Sequence, residues 1–395
     1  MPKAVTTLQK ALWPLLAPLG LCYAGAMRLR SACYATGLLL SWKPPAFSVS
    51  VGNIGWGGTG KTPLVSWLLT WAGRRGLRPV VLTRGYRAHP GEYPYLVKPG
   101  ALAEEAGDEP LMLALDHPGA SILVDPVRIR AGKWAEKELR PNLYLLDDGF
   151  QHMAVKRDVN LVLFMPEDIY GGWNKVIPSG SWREDVEALS RADVFLVKAR
   201  PRLFREMAKQ MRSRLGRFRK PIFSFTIKPI GVRRLVDGFR LASLDHKRYL
   251  LVTGVGQPAQ VEATVSRYLD YPPEEHMVFS DHHLFTRADV TALESLAHER
   301  GCQAILCTPK DAVKIGPMAS NLFWTLDLDV VFGPSLGAGK PFDAWWDRRF
   351  DVLHLKRYGD VDYLEMDRDD NVFEDDDADH LSLGRDYGTT EEDGE

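Results

Sequence analysis

The sequence of 395 residues predicts an α/β protein with a parallel-sheet domain and a second, smaller α/β domain. From Phe47 onward, short runs of β-branched and aromatic residues alternate with stretches of helical periodicity. That alternation is the pattern of parallel strands joined by helices. The length is sufficient for two hydrophobic cores, and a composition of 45% hydrophobic and 26% charged residues is typical of a globular chain.

The predicted elements form two series. The strands of the first series are 47–53, 79–84, 120–125, 143–147, 160–165 and 193–199, and its helices are 62–75, 109–117, 126–139 and 201–218. The second series has strands at 249–253, 276–279, 303–307 and 322–331 and helices at 258–269 and 286–300. Residues 221–241, which separate the two series, are predicted to be extended linker strands.

A glycine-rich loop follows the first strand. Residues 55–62 spell Gly-Trp-Gly-Gly-Thr-Gly-Lys-Thr, which matches the phosphate-binding loop G-x-x-x-x-G-K-[ST]. In such a loop the backbone N–H groups surround phosphate oxygens, the lysine reaches the β- and γ-phosphates, and the last hydroxyl binds Mg²⁺. The predicted nucleotide-binding residues are Gly55, Trp56, Gly57, Gly58, Thr59, Gly60, Lys61 and Thr62. The alternative is a glycine-rich turn without a ligand.

Two carboxylates end the strand predicted at 143–147. Asp147 and Asp148 follow the apolar run Leu143-Tyr-Leu-Leu, as the acidic residue of a Walker B element does. We therefore predict that Thr62, Asp147 and Asp148 organise Mg²⁺. The run Thr308-Pro-Lys-Asp311 lacks the spacer of a guanine-reading motif, which favours ATP as the nucleotide. The first series is thus predicted to be a P-loop kinase-type domain.

Phosphoryl transfer to an alcohol also requires a base within hydrogen-bond reach of the attacking hydroxyl. Asp108, in Gly107-Asp-Glu-Pro110, is one candidate, although an Asp before a helix more often serves as its N-cap. His282, in Asp281-His-His283, offers an imidazole that could orient such a base. Spacing alone leaves both roles open.

The charge is distributed unevenly along the chain. Residues 351–395 carry 17 acidic and 4 basic side chains, and the rest of the chain has a net charge of +12. No acidic residue precedes Glu92, whereas Lys3 and Lys10 are among the basic ones, so the N-terminal part suits an anionic partner. The basic residues are not interleaved with aromatic ones, so we predict no nucleic-acid partner. The four cysteines form no C-x-x-C pair, which indicates a reducing compartment.

The N-terminal segment is apolar but interrupted. Residues 11–27 contain Pro14 and Pro18, and a second apolar piece runs from 31 to 42. Neither piece supplies the roughly 20 continuous apolar residues of a spanning helix. We predict a helix or helical pair in the membrane interface, with Trp13, Tyr23, Tyr34 and Trp42 at the depth of the headgroups. A buried packing helix and a signal peptide are the alternatives.

Together these features predict five segments. They are a membrane-associated helical segment (1–44), a P-loop nucleotide-binding α/β domain (45–220), a β linker (221–244), a second α/β domain (245–350) and an acidic, disordered tail (351–395).

The motif set, in its order, resembles one family, the tetraacyldisaccharide 4′-kinases (lipid A 4′-kinases) of Gram-negative bacteria. The motifs are Ser50-Val-Gly-Asn-Ile54 with Gly57-Gly-Thr-Gly-Lys-Thr-Pro63, Arg84-Gly-Tyr86, Gly107-Asp-Glu-Pro110, Asp147-Asp-Gly-Phe-Gln-His152, Arg183-Glu184, Gly254-Val-Gly256, Asp281-His-His283 and Lys310-Asp-Ala-Val-Lys314. The resemblance covers residues from about 10 to 345.

The resemblance implies two Rossmann-like domains and a kinase at the cytoplasmic face of the inner membrane, bound there through its N-terminal segment. It implies transfer of the ATP γ-phosphate to the 4′-hydroxyl of an acylated glucosamine disaccharide phosphate, which gives lipid IV-A. By position, Asp108 matches the proposed base of the family and His282 its partner, while Lys61 holds the phosphates. The remaining alternatives are a P-loop kinase of a soluble alcohol and a nucleotide-driven switch that is not an enzyme.

Overall fold

The structure is a computed structural model that describes residues 12–358. The chain divides into two compact units, each built from separated stretches of sequence. Within the described residues, unit 1 contains 12–61, 142–226 and 331–358, and unit 2 contains 62–141 and 227–330. The five contiguous segments proposed from the sequence were defined by motifs and composition, whereas these units are defined by contacts. The five segments stay a prediction.

The helices and strands alternate along most of the chain. The α-helices are α1 (Trp13–Ala35), α2 (Lys61–Arg74), α3 (Ala103–Ala106), α4 (Asp108–Asp116), α5 (Arg128–Glu138), α6 (Pro166–Ile169), α7 (Pro201–Leu215), α8 (Pro258–Leu269), α9 (Arg287–Glu299), α10 (Pro309–Ile315) and α11 (Phe342–Tyr358). The strands are β1 (Phe47–Asn53), β2 (Pro79–Thr83), β3 (Tyr95–Leu96), β4 (Ser121–Val124), β5 (Leu143–Asp147), β6 (Val159–Phe164), β7 (Val194–Lys198), β8 (Ile222–Arg234), β9 (Arg240–Leu241), β10 (Tyr249–Thr253), β11 (Glu275–Val278), β12 (Ala304–Cys307) and β13 (Phe323–Leu336).

Several predicted elements are confirmed with the same bounds, namely the strands at 47–53, 143–147 and 249–253 and the helix at 258–269. The α/β class is therefore confirmed. The short helix α10 was not predicted because its seven residues are too few for a helical period to stand out.

Unit 1 contains a parallel run of strands in the order β5–β1–β6–β7–β8. Every residue of β1 and of β5 is buried, as expected for parallel strands covered on both faces. In the β1–β5 pair Val51 lies opposite Asp147, so the two strands end close together. Their carboxyl ends therefore meet at the edge from which the phosphate-binding loop departs.

The N-terminal apolar residues of unit 1 form one helix rather than two pieces. Helix α1 continues through Pro18, which removes a single intrahelical hydrogen bond. Ala24 is buried in the core of the unit, and a Cβ on Gly20 would lie 2.9 Å from Oγ of Ser179. Arg28 forms an ion pair with Asp185. This docking holds the helix together across the proline.

The last helix also belongs to unit 1. Trp346 and Phe350 lie on one side of α11 with ring centroids 6.3 Å apart, and Phe350 meets Phe47 of β1 edge to face at 5.0 Å. Because this aromatic row anchors the helix, α11 continues through residues 351–358, which the sequence had assigned to the acidic tail. Residues 359–395 of that predicted tail lie outside the described residues, as do Lys3 and Lys10.

Unit 2 contains two groups of strands. In one, β11–β10–β12–β13 are parallel, with Ile305 of β12 opposite Phe323 of β13. In the other, β2 is parallel to β4, and the short β3 is antiparallel to β4. The second half of β8 pairs with β9 in an antiparallel hairpin. The extended strands predicted within residues 221–241 are therefore confirmed as β8 and β9.

Candidate active site

The phosphate-binding loop lies between β1 and α2. Gly57 and Gly60 have φ of 129° and 92°, values that favour glycine. The entry to the loop is fixed by a neighbouring segment of unit 1, since Trp56 N–H donates to the Ser181 carbonyl at 3.0 Å and Arg183 N–H donates to the Ile54 carbonyl at 2.7 Å. The sequence therefore forms a strand, a glycine loop and a helix start in the order required to bind phosphate.

Asp168 lies against the first glycine of this loop. A Cβ on Gly55 would come within 2.9 Å of Asp168 Oδ1, so a side chain larger than hydrogen does not fit there. The same carboxylate accepts hydrogen bonds from Met165 N–H at 2.9 Å and from the Trp182 indole at 3.3 Å. Burial raises the pKa of Asp168 to about 6. Sequence analysis did not identify this residue.

Lys61 opens helix α2 and is the last residue of unit 1 before the chain enters unit 2. Its Nζ donates to Asn53 Oδ1 at 3.2 Å and lies 3.5 Å from Asp148 Oδ1. Asn53 is fully buried at the end of β1. An amide side chain at the end of a strand that leads into the glycine loop is a signal that sequence analysis could have used. The lysine is thus held at the loop by one amide and one carboxylate.

Asp148 is held by two cations. Arg183 Nη1 lies 2.8 Å from Asp148 Oδ2 and also contacts Gln151 Oε1 at 3.4 Å. Burial by itself raises the pKa of Asp148, but the charges of Lys61 and Arg183 and their hydrogen bonds lower it below its ordinary value. The carboxylate is therefore ionised at neutral pH. Its backbone has φ of 51°, and the following Gly149 has no room for a Cβ beside Ser50 Oγ.

The predicted metal ligands are found in both units. In unit 1, Asp147 is buried at the end of β5 and Asp148 follows it. In unit 2, the Thr62 hydroxyl donates to Glu109 Oε2 at 2.8 Å, and Lys310 forms an ion pair with the other oxygen of Glu109. Between residues 12 and 358, no three His, Cys, Asp or Glu side chains are grouped to hold a metal ion.

Glu109 is another residue of this site that sequence analysis left without a role. Its carboxylate and the Thr62 hydroxyl form a pair of oxygen donors, the type of ligand that Mg²⁺ prefers. Burial by itself lowers the pKa of Lys310, but the charge of Glu109 and their hydrogen bond raise it above its ordinary value. Thr62 and Glu109 are thus two further residues that could hold a magnesium ion, and Glu109 is paired with Lys310 as Asp148 is with Lys61 and Arg183.

Asp108 and His282 are also brought together within unit 2. His282 Nδ1 lies 2.9 Å from Asp108 Oδ2, and both side chains are mostly buried. Asp108 is the first residue of α4, and the cap position is occupied by Gly107 with φ of 84°. Asp108 therefore does not serve as the N-cap. An exposed ring, Tyr86, lies 6.0 Å from the ring of His282. Chemically, a carboxylate steered by an imidazole can accept a proton.

Comparisons with known proteins agree on one family. The sequence model described as Tetraacyldisaccharide-1-P 4′-kinase (LpxK) matches residues 12–339. A tetraacyldisaccharide 4′-kinase of Nitratidesulfovibrio vulgaris is 50% identical over 355 residues, which are 90% of this chain and 99% of the relative. A protein of the same name from Oleidesulfovibrio alaskensis is 45% identical over 354 residues, which are 88% of this chain and 98% of the relative.

A solved structure is similar as well. It is the "apo" form of LpxK from Aquifex aeolicus in complex with ATP, with a TM-score of 0.70 and 25% sequence identity. The match covers 89% of this chain and 99% of the other. Each match therefore covers nearly the full length of the relative or of the solved structure.

Proposed function

This chain belongs to the tetraacyldisaccharide-1-P 4′-kinase family, and we propose how its residues carry out the reaction. It is an ATP-dependent kinase that phosphorylates the 4′-hydroxyl of tetraacyldisaccharide 1-phosphate, which gives lipid IV-A in lipid A biosynthesis. The reaction is an in-line transfer of the γ-phosphoryl group, so the protein must position two substrates and stabilise the charge that develops between them.

The nucleotide is held by the residues of the loop, 55–62. Lys61 and the loop amides take up charge that develops on the phosphoryl oxygens. The contacts of Lys61 with Asn53 and Asp148 support this role, because they keep the ammonium at the loop before the nucleotide binds. Mg²⁺ would supply positive charge for the phosphates of ATP, and Thr62 and Glu109 are residues that would hold it. Asp147 and Asp148 remain the further ligands predicted from the sequence.

Asp108 is the base in this proposal. The Asp108 carboxylate accepts the proton of the sugar hydroxyl as the hydroxyl oxygen attacks phosphorus, and His282 donates Nδ1–H to Oδ2 of this carboxylate to orient it. The observation that carries the proposal is the contact of 2.9 Å between His282 Nδ1 and Asp108 Oδ2 in a mostly buried setting. A carboxylate of this kind is ready to accept a proton without first having to be turned towards it.

Helix α1 binds the enzyme to the cytoplasmic face of the inner membrane in this proposal. The leucines Leu15, Leu19 and Leu29 are 72%, 57% and 67% exposed, and their spacing of four and ten residues places them on one side of the helix. The opposite side, which includes Gly20 and Ala24, packs on unit 1. Such a leucine stripe suits the lipid interface.

Two of the aromatic residues expected at the depth of the headgroups face the protein instead of the lipid interface. Tyr23 packs against the core of unit 1, and the ring of Trp42 meets Tyr144 edge to face at 5.7 Å. Leucines rather than an aromatic belt therefore form the surface that enters the interface. Along residues 12–358, no helix is both long enough and apolar enough to cross a bilayer.

Label transfer from [γ-³²P]ATP to tetraacyldisaccharide 1-phosphate in mixed micelles tests the proposal. The wild type is expected to give labelled lipid IV-A, and Lys61→Met to lower turnover by about 100-fold or more, because one fixed positive charge at the phosphoryl group is lost. The matched control is Lys137→Met, since Lys137 is an exposed lysine whose ion pair is with its neighbour Glu138. Transfer of label to a soluble alcohol alone, or ATP hydrolysis without any acceptor, would contradict the proposal.

A further inference from the structure

Asp108 and His282 are connected in two ways within unit 2, by their direct contact and by a chain of contacts through Gly254, Asp311 and Lys314. Together the two connections form a closed ring. His282 N–H donates to the Gly254 carbonyl at 3.1 Å, and Gly254 N–H donates to Asp311 Oδ2 at 3.0 Å. Asp311 Oδ1 lies 3.4 Å from Lys314 Nζ, which lies 3.5 Å from Asp108 Oδ2. The direct contact of Asp108 with His282 closes the ring. Asp108, the proposed general base, and its partner His282 are thus both connected to the same buried ion pair.

The ion pair in this ring is deeply buried. The side chain of Lys314 is 3% exposed and that of Asp311 is fully buried. Taking both charges out of water is costly, and an apolar pair of the same volume often stabilises a fold equally well or better. Stability alone is therefore a weak reason for this arrangement. A role in placing the neighbouring carboxylate accounts for it better.

The ring also leaves little freedom for its members. Asp311 accepts a further hydrogen bond from the Thr308 hydroxyl at 2.7 Å. A Cβ on Gly254 would lie 2.9 Å from Asp311 Oδ1, so the backbone can approach the carboxylate this closely only because residue 254 is glycine. The loop that carries His282 is consequently fixed by Asp311 and not only by its own turn.

We propose that Lys314 and Asp311 are positioning residues, which hold the Asp108 carboxylate and the His282 loop in one geometry for proton transfer. Lys314 Nζ attracts Asp108 Oδ2 from one side, and Asp311 fixes Gly254, to which the His282 backbone is bonded. Both residues act through Asp108 and His282 in this proposal. The inference rests on the proposed function of Asp108 as the base, and it adds the pair that keeps this base in place.

The first test measures kcat and KM of Lys314→Met and of Lys314→Arg. We expect Lys314→Met to lower kcat by at least about 10-fold with KM for ATP within about twofold of the wild type, because positioning of the base affects the transition state and not nucleotide binding. Lys314→Arg keeps the charge and should recover a measurable part of the loss. Unchanged kcat in Lys314→Met would overturn the inference.

A double-mutant cycle with Asp108→Asn separates positioning from general damage. If Lys314 acts through Asp108, the double variant Asp108→Asn/Lys314→Met should be no slower than Asp108→Asn alone. If the reductions in kcat of the two single variants multiply in the double variant, Lys314 acts independently of Asp108, and the inference is overturned. Should Asp108→Asn by itself keep full turnover, the proposed base is wrong, and this outcome is distinct from failure of the positioning role.

Two further variants, Arg233→Met and Asp311→Asn, distinguish a loss of positioning from a loss of folding. Arg233→Met removes the ion pairs with Asp116, at the far end of the same helix α4, and with Asp327, and should lower stability without lowering kcat. If Lys314→Met does not fold, Asp311→Asn is measured in its place, since it keeps the shape and an acceptor for Gly254 N–H while weakening the attraction on Lys314. A kcat that falls in Asp311→Asn but not in Arg233→Met supports the inference, and equal behaviour of the two overturns it.

Discussion

Nδ1 of His282 lies 2.9 Å from Oδ2 of Asp108, although 174 residues separate the two in the sequence. Asp108 begins a helix, and His282 lies in a loop with φ of 63°, a left-handed conformation that few residues other than glycine adopt. The backbone of His282 is held in that conformation by its bond to Gly254. The pair is therefore built from two distant parts of unit 2, and the kinase mechanism proposed above depends on it.

Asp108→Asn and His282→Asn are expected to affect turnover and not ATP binding. Loss of a general base costs about 10²- to 10⁴-fold in rate, and loss of its orienting partner should cost less. The measurements are kcat by label transfer and the dissociation constant of ATP by calorimetry. Glu274→Gln, which removes an acid from the surface of the same unit, is the control. Wild-type turnover in Asp108→Asn would remove this residue from the role of base.

Gly55→Ala and Gly58→Ala should differ in stability although both lie in the phosphate-binding loop. A Cβ at position 55 collides with the buried carboxylate of Asp168, whereas nothing lies within 4 Å of a Cβ at position 58. We expect Gly55→Ala to lower the free energy of unfolding by about 1–3 kcal/mol. Gly58→Ala should stay within about 0.5 kcal/mol of the wild type. Denaturant unfolding without nucleotide measures both, and equal values would be inconsistent with the described loop.

Asp168 should make unit 1 less stable as the pH rises. Its folded pKa of about 6 is above the ordinary value of 3.8, so the folded state keeps a proton that the unfolded chain loses first. Its contribution is complete below about pH 4, falls between about pH 4 and 6, and is lost above that window. The total is on the order of 3 kcal/mol at about 1.4 kcal/mol per pKa unit.

The measurement is the free energy of unfolding of the wild type and of Asp168→Asn at several values between pH 4 and 7. The asparagine does not ionise, so the variant should gain stability relative to the wild type as the pH rises. A difference that stays constant with pH would argue against a raised pKa of Asp168.

The leucine stripe of α1 should determine binding to lipid vesicles. Replacing Leu15, Leu19 and Leu29 with Ser removes apolar side chains that would each contribute about 1.5–3 kcal/mol if fully buried. We expect at least a tenfold weaker partition into vesicles with anionic lipid, measured by sedimentation. Leu102→Ser with Leu328→Ser is the matched control, because both are exposed leucines of unit 2. Equal partition of the two variants into vesicles would contradict the membrane-binding proposal.

The local elements of the fold could be predicted because their signals are local. The strand 47–53, the glycine loop and the start of α2 follow from alternation, glycine spacing and helical periodicity within some thirty residues. Helix α1 was harder, since the prolines and arginines that divide it in the sequence are compensated by contacts with distant residues, such as Asp185 for Arg28. Helix α11 extends into an acidic stretch because aromatic residues anchor it, which charge counting does not detect.

The site could be predicted only in part. Motif spelling predicted Lys61, Thr62, Asp147 and Asp148 as site residues, and resemblance to a family predicted that Asp108 acts with His282, two residues that the structure places in contact. Nothing in the spacing indicated that Thr62 would donate to Glu109.

The sequence by itself determined the α/β class, the phosphate-binding loop and the order of the motifs, because each depends on residues that are neighbours along the chain. Only the tertiary structure decided that Arg183 shares the Asp148 carboxylate with Lys61, and that Lys314 lies beside Asp108. These contacts join residues that packing alone brings together. At Asp148, burial by itself raises the pKa, and the two cations that the fold places beside the carboxylate lower it below its ordinary value.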